Sequence, residues 1–233
     1  MKLTLGTTYY NNPQLLKNFV KRNLPFVDEL IVVDDGSKYP ITDFLQPEGK
    51  IRLFRVKKDY GFNSHGCRNL IMKQSTNDWV VLIDIDREFT EPAIAYTFIR
   101  SAPLNNKTLY KFTAFTSSSG VDAHRSVNDF LIHRDYFFSA GGYDEEIIGI
   151  RTGDRQYFEQ LKHFGKEKTL HGINLRLLRR PSTRQRELNS KAEWASPNDK
   201  PMKNTYTRLL HKRMQNPEPN KPILTFEWEE LKE

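Results

Sequence analysis

The chain has 233 residues and a formal net charge of +7 at pH 7, and this length is sufficient for one substantial hydrophobic core. Its single cysteine, Cys67, excludes an internal disulfide and a zinc site built from several cysteines. Apolar runs are short and the N-terminus lacks the apolar core of a signal peptide, which predicts a soluble, cytoplasmic protein without a transmembrane segment.

Strand and helix signals alternate through the first hundred residues. Buried strands are predicted at KLTLGTT, ELIVVDD, IRLFRVKK and WVVLIDID. Helices are predicted at QLLKNFVKRN after an Asn12 cap, at NSHGCRNLIMKQS with a cap at Asn63 or Ser64, and at Pro92–Ile99. Such alternation is typical of an α/β fold in which helices cover both faces of a sheet.

The remaining chain changes character near Pro103. Two further strands are predicted at LYKFTAFT and DFLIHR, followed by a helix at DRQYFEQLKHFG. We therefore expect a single compact domain with two halves, at residues 1–102 and 103–180. Residues 181–233 are predicted to form a basic C-terminal extension with one helical window at Lys203–Met214.

Acidic residues follow several of the predicted strands. Asp34 and Asp35 end the second strand, Asp59 follows the third, and Asp84 and Asp86 end the fourth. In open α/β sheets ligands bind outside the carboxyl ends of the strands. If the fourth strand runs to its end, Asp84 and Asp86 point to the same face, where two carboxylates repel each other unless a cation joins them. Ordinary turn chemistry is the alternative reading of these acids.

Basic residues are concentrated between Arg176 and Arg213, where eleven Lys or Arg residues stand against three acidic residues. This segment accounts for the whole positive excess of the chain. It suits a phosphate-rich or polyanionic partner, and the alternative is a solvated face of a terminal helix.

Four motifs, VVDDGS, GFNSHGCRN, LIDID and GGYDEEIIGIRTGDRQYFEQL, occur in this order. Together they resemble the successive motifs of family two glycosyltransferases of the GT-A fold, over roughly residues 2–180. The last motif is also similar to the GGFDE region of β-1,4-galactosyltransferases. The resemblance implies a Rossmann-like mixed α/β sheet and an inverting, metal-dependent transfer of sugar from a nucleotide sugar, with a UDP-sugar expected. It also implies that residues 1–102 are the nucleotide-sugar-binding half and residues 103–180 the acceptor and catalytic half.

The resemblance assigns a donor-binding role to five residues. Thr8 and Asp35 are expected to hold the base and ribose, because a carboxylate can accept the uracil imide proton. Arg68 is expected to help fix the nucleotide through the fork geometry of its guanidinium. The nucleotide-sugar site would also include Gly61 and Asp84.

Metal binding is implied at the acidic pair. Asp86 is expected to bind Mn²⁺ or Mg²⁺ directly, and Asp84 to contact ribose or metal, because hard cations prefer oxygen ligands. His171 is a weaker metal-ligand prediction, since a lone histidine on a strand is more often structural. In some relatives a histidine near the position of Arg180 is a further metal ligand. The alternative prediction is that Arg179 or Arg180 binds the diphosphate directly.

Catalysis is assigned to Asp154, which matches the residue that deprotonates the acceptor hydroxyl in the family. An N-cap role is the structural alternative for an aspartate at a helix start. The preceding residue is usually acidic in relatives and is Gly153 here, so the acceptor site departs from the family pattern. Residues expected near the acceptor or sugar are Gly141, Gly142, Tyr143 and Asp144.

Three alternatives remain open from the sequence. The acceptor is expected to be a glycan, whereas DNA with hydroxymethylated bases would use the basic segment. A nucleotidyltransferase would share the acidic sheet edge but should carry a Gly-rich phosphate loop, which GTTYYNNP is not. A non-catalytic nucleotide-sugar or nucleic-acid binder would leave Asp154 and the acidic strand ends without a purpose.

Overall fold

The structure is a computed structural model that describes residues 1–115, 123–147, 153–178, 208, 211–212, 215–216 and 218–232. Its strands are β1 (Leu3–Tyr9), β2 (Glu29–Asp34), β3 (Ile51–Val56), β4 (Trp79–Leu82), β5 (Arg87–Phe89), β6 (Thr108–Phe115), β7 (Ala123–His133), β8 (Lys166–Leu177) and β9 (Trp228–Leu231). Its helices are α1 (Pro13–Asn23), α2 (Ser64–Gln74), α3 (Pro92–Ser101), α4 (Arg134–Ser139) and α5 (Gly153–Leu161).

The described strands form one mixed sheet in the order β5-β8-β6-β7-β4-β1-β2-β3-β9. Strands β4, β1, β2 and β3 are parallel neighbours, and β7 joins β4 in the antiparallel direction. Because the carboxyl ends of the parallel strands meet at one edge, the loops that follow β1, β2 and β4 lie together. The predicted mixed α/β sheet is confirmed.

Two hydrophobic clusters cover the two faces of the sheet. Alternate residues of β2 enter different clusters, with Leu30 and Val32 on one face and Ile31 and Val33 on the other, as the period of two along a strand requires. Helices α1 and α3 pack in the first cluster. Helices α2, α4 and α5 pack in the second, so the sheet has helices on both faces as predicted.

Asparagine caps begin the first two helices. The side chain of Asn12 accepts a hydrogen bond from the Leu15 amide at 3.2 Å, and that of Asn63 accepts one from the Gly66 amide at 3.2 Å. Each cap satisfies one of the unpaired amides of a helix N-terminus. The structure therefore selects Asn63 over Ser64 as the cap of α2.

The acidic pair does not lie in a strand. Strand β4 ends at Leu82, and Asp84 and Asp86 occupy the turn before β5, where the Arg87 amide donates to the Asp84 carbonyl at 2.9 Å. The prediction that the strand continues through both residues, and so points their carboxylates to one face, is therefore wrong. Their proximity to the sheet edge comes from the turn.

The end of the chain returns to the sheet. Strand β9 pairs antiparallel with β3 at the sheet edge, a strand that the polar, Pro-punctuated sequence did not predict. Most of the predicted extension, including residues 181–207 with the first part of the predicted helical window, lies outside the described residues. The boundary near Pro103 stays a prediction, because β6, β7 and β8 belong to the same sheet as β1–β4.

Among the described helices, none combines the length and the apolar character that a membrane crossing requires.

Candidate active site

A cavity of about 310 Å³ opens at the carboxyl ends of β1, β2 and β4. Asp86 and the proposed base Asp154 both line it. All the residues predicted to bind the nucleotide sugar line it as well, namely Thr8, Asp35, Gly61, Arg68 and Asp84. The structure thus gathers, around one space, residues that are up to 146 positions apart in the chain.

The start of α2 fixes the position of Asp35, which lines this cavity. The Asn63 amide donates to its Oδ2 at 2.8 Å, while Oδ1 is buried and lacks a hydrogen-bond partner among the described residues. Burial raises the pKa of Asp35 to about 7, against the opposing effect of hydrogen bonds from the Asn63 amide and the Cys67 thiol. A buried polar atom without a partner is costly, so Oδ1 fits a ligand donor such as a base N–H.

Arg68 lies between the acidic turn and the proposed base. Its Nη2 donates to Asp84 Oδ1 at 2.8 Å and its Nη1 to Asp154 Oδ1 at 2.6 Å. Nη1 also lies 3.0 Å from the hydroxyl of Tyr143. Burial would lower the pKa of Arg68, but Tyr143, Asp154 and Asp84 raise it well above its usual value, so the guanidinium stays charged. Arg68 therefore orients two carboxylates of the site.

Asp154 lies in the first turn of α5 and is 8% exposed. Its Oδ1 accepts hydrogen bonds from Arg68 and from the Tyr143 hydroxyl, the latter at 2.7 Å. Among the described residues no hydrogen bond reaches Oδ2, whose polar neighbour is His65 Nε2 at 4.0 Å. One oxygen is thus fixed and the other remains available to a ligand.

His65 was not singled out by the sequence, although it lies beside Asp154. Its ring stacks on Tyr143 with centroids 5.2 Å apart. Burial lowers the pKa of His65 to about 4, although Asp154 acts to raise it. The imidazole is therefore neutral at physiological pH and does not form an ion pair with Asp154 at that pH.

Two residues of β7 fix Asp84 and were also missed. Asp129, which is 1% exposed, accepts a hydrogen bond from the Asp84 amide at 2.8 Å through Oδ1. The Asn128 side chain lies 3.4 Å from Asp84 Oδ2. The available signal was the polar pair directly before the apolar residues Phe130–Ile132, because an acid is almost never fully buried unless it is paired.

The four residues Gly141–Asp144 of the GGYDE motif make close contacts inside the protein. At positive φ, a Cβ on Gly141 would lie 2.5 Å from the Glu218 carbonyl oxygen and one on Gly142 would lie 2.7 Å from Asn69 Oδ1. Tyr143 is fully buried. Asp144 accepts a hydrogen bond from the Gln156 side chain at 3.2 Å. These contacts account for the four residues within the protein, and their contact with acceptor or sugar stays a prediction.

The donor set at the acidic turn suits a hard cation. Asp86 and Asp84 supply carboxylate oxygens, which Mg²⁺ and Mn²⁺ prefer. No group of three or more His, Cys, Asp or Glu side chains suited to a metal occurs in the described part of the chain. That fits a cation held by one or two carboxylates together with substrate phosphates and water. His171 is exposed on β8 and does not line the cavity, and its role as a ligand stays a prediction.

Other predicted phosphate contacts lie outside the described residues. These include Arg179, Arg180 and most of the basic segment between Arg176 and Arg213. Within that segment, Arg176 pairs with Glu88 and Lys212 with Glu218 at 3.4 Å.

Residues 4–160 match the family described as Glycosyl transferase family 2. The chain belongs to this family. The matched range is more than half of the chain and contains every residue that lines the cavity. No curated protein matches the chain.

Solved structures confirm the GT-A fold. A structure of GalNAc-T7 with UDP, GalNAc and Mn²⁺ has a TM-score of 0.59 and 12% identity, covering 78% of this chain and 44% of that one. S. aureus TarS 1–349 in complex with UDP has a TM-score of 0.60 and 14% identity, covering 91% and 71%. The chain thus spans less than half the length of the GalNAc-T7 chain, and at these identities the likeness concerns the fold alone.

Proposed function

We propose that this protein is an inverting glycosyltransferase that moves a sugar from a UDP-sugar to an acceptor hydroxyl, with a glycan as the first-ranked acceptor. The observation that carries the proposal is the position of Asp154, which lines the same cavity as Asp35 and the acidic turn and whose Oδ2 accepts no hydrogen bond from the described residues. Family membership supports the reaction class. Two solved structures of similar fold contain UDP, which supports the choice of nucleotide.

The donor is bound from two sides of the cavity. Asp35 accepts a hydrogen bond from the imide N–H of uracil through the buried Oδ1, which has no hydrogen-bond partner among the described residues. Thr8, near the end of β1, lines the same cavity. Asp84 and Asp86 would hold a divalent cation, which when bound would supply positive charge that stabilises the leaving diphosphate. Asp129 fixes the backbone amide of Asp84, and Arg68 fixes its carboxylate.

Asp154 acts as the general base. The acceptor oxygen forms a bond to the anomeric carbon while the bond from that carbon to the diphosphate oxygen breaks, and the hydroxyl proton passes to Asp154 Oδ2. A single displacement inverts the configuration of the anomeric carbon. Arg68 and Tyr143 hold Oδ1 throughout, so the carboxylate keeps its orientation during proton transfer.

Calorimetric titration with UDP, with and without Mn²⁺, tests the donor half of this proposal. We expect UDP to bind and its affinity to rise with Mn²⁺. The control is ADP, whose base has no imide proton to donate to Asp35. Equal binding of both nucleotides, or an affinity unaffected by Mn²⁺ and EDTA, would contradict the assignment of the cavity.

The second acceptor we propose is DNA with hydroxymethylated bases, because the excess charge lies between Arg176 and Arg213. On this proposal the logarithm of affinity falls with log salt by roughly 0.9 per phosphate neutralised. Neutral replacements at Arg184, Arg186, Lys203 and Lys212 should flatten that slope without changing UDP affinity. Absence of salt-dependent DNA binding at low ionic strength, together with absence of transfer, would exclude this acceptor.

A further inference from the structure

Residues 218–232, the C-terminal strap, lie beyond the range that matches the family and pack against β3, α2 and the GGYDE residues. Strand β9 adds to β3, and Glu230 pairs with Arg52 through bonds of 2.9 and 3.0 Å. Phe226 is 6% exposed in the core cluster around α2. A Cβ on Gly66 would come within 2.5 Å of its ring. The strap is therefore an integrated part of the described fold.

A single carboxylate joins the strap to the GGYDE motif. Glu145, which is 7% exposed, accepts hydrogen bonds from the Leu224 amide, the Thr225 amide and the Thr225 hydroxyl, each at 2.9 Å. Leu224 adopts a φ of 58°, a left-handed conformation that a non-glycine residue keeps only where the surroundings impose it. The bend at Leu224 places consecutive amides on the carboxylate of Glu145.

Hydrogen bonds also connect the Glu145 carboxylate to the proposed base, Asp154. Asn69 donates to Glu145 Oε1 at 2.8 Å and to the Tyr143 carbonyl at 3.0 Å, and it accepts from the Tyr143 amide at 2.8 Å. The hydroxyl of Tyr143 then donates to Asp154. A continuous series of hydrogen bonds therefore runs from the strap through Glu145, Asn69 and Tyr143 to Asp154.

The strap also forms a wall of a second cavity. This space, of about 720 Å³, lies between residues 144–146 and residues 218–222 and 225. The strap crosses above Gly141 so closely that the Glu218 carbonyl oxygen occupies the space a side chain would need. The peptide that follows the glycine pair is thus held between α2 and the strap.

We infer that Glu145 is a positioning residue through which the C-terminal strap sets the orientation of Asp154, so that the strap controls turnover and leaves donor binding unaffected. This inference rests on the proposed function, because it takes Asp154 as the base. Glu145 touches no donor-site residue among those lining the smaller cavity. Its effect must therefore pass through Asn69 and Tyr143.

Kinetics of Glu145→Gln test the inference, because a carboxamide cannot accept all four hydrogen bonds. We expect kcat for hydrolysis of a UDP-sugar, with water as the acceptor, to fall by about tenfold or more, the factor associated with one lost hydrogen bond to a charged group. Affinity for UDP should stay within about twofold. Glu229→Gln, a loss of one exposed carboxylate in the same strap, is the matched control and should keep the wild-type kcat.

Thr225→Val provides a second, milder perturbation of the same contact. It should lower kcat by about threefold or more, and it decides the question if Glu145→Gln fails to fold. Combined with Glu145→Gln, its effect should be much smaller than the product of the two separate fold-changes, because both variants remove the same link. Multiplying effects, an unchanged kcat, or a parallel loss of UDP affinity would overturn the inference.

Hydrogen–deuterium exchange separates this inference from the proposed function. In Glu145→Gln, exchange should accelerate in the strap and also in residues 141–146, whereas Glu229→Gln should leave residues 141–146 unchanged. If exchange accelerates in the strap alone, the coupling is overturned whatever the protein catalyses. If the two segments respond together but the wild-type protein acts on no nucleotide sugar, the coupling holds and the proposed function fails.

Discussion

Replacing Arg68 by methionine removes the positive charge between two carboxylates while keeping an unbranched side chain in place of the aliphatic part of arginine. Asp154 and Asp84 would lose their bonds of 2.6 and 2.8 Å. Loss of one partner from a buried ion pair costs about 3–5 kcal/mol. The Asp84 side chain is 31% exposed and can recover some hydration, so most of this cost arises at Asp154. We expect Arg68→Met to lower the free energy of unfolding by about 3–5 kcal/mol.

Arg100→Met is the matched control for burial. Arg100 also makes three hydrogen bonds, including one of 2.6 Å to Asp28, but the pair is about one third exposed. Such surface pairs contribute about 0–1 kcal/mol. Urea denaturation at pH 7, followed by far-ultraviolet circular dichroism, measures both variants. A loss below about 1 kcal/mol for Arg68→Met, or equal losses for the two variants, would refute the reasoning.

Three further predictions concern the donor site. Because burial raises the pKa of Asp35 from 3.8 to about 7, stability should fall as pH rises from about 4 to 7, and uridine binding should weaken by up to about tenfold per pH unit below 7. Asp35→Asn should lack both trends, and a variant with the same pH profiles as the wild type would contradict this role of Asp35. In calorimetry, Asp86→Asn should abolish the Mn²⁺-dependent gain in UDP affinity, and its melting temperature should stay unchanged. If EDTA leaves the turnover of the wild-type protein unchanged, the metal site is disproved. Asp129→Ala should weaken that Mn²⁺ effect by about tenfold, since the Asp84 amide loses its acceptor; identical titrations for variant and wild type would exclude this support.

Most of the sheet was predictable because its signals are local. Buried parallel strands such as ELIVVDD are continuous apolar runs, and Asn12 and Asn63 cap helices through atoms three residues away. Strand β9 was missed because WEEL carries two acids and gains its stability from β3, about 175 residues earlier. The end of β4 at Leu82 was missed because LIDID does not indicate where pairing stops.

The site was predictable as a set of residues and less so as a network. Motif order brought attention to Arg68 and Asp154, whose bond joins positions 86 residues apart. No local pattern predicts that Arg68 donates its hydrogen bonds to carboxylates of the protein instead of to phosphate. Asp129 and Glu145 were assigned no role, because their function lies in contacts with backbone amides of distant segments.

Sugar transfer by Asp154→Asn, compared with transfer by the wild-type protein, tests whether Asp154 is the general base of a glycosyltransferase. Asparagine can still accept the bonds of Arg68 and Tyr143 through its oxygen, so the fold and UDP binding should be retained. Mass analysis of products from a panel of UDP-sugars and glycan acceptors should show transfer by the wild type and a rate about 10²- to 10⁴-fold lower for the variant. A folded Asp154→Asn variant that transfers sugar at the wild-type rate, or a wild-type protein that transfers none, would contradict the account.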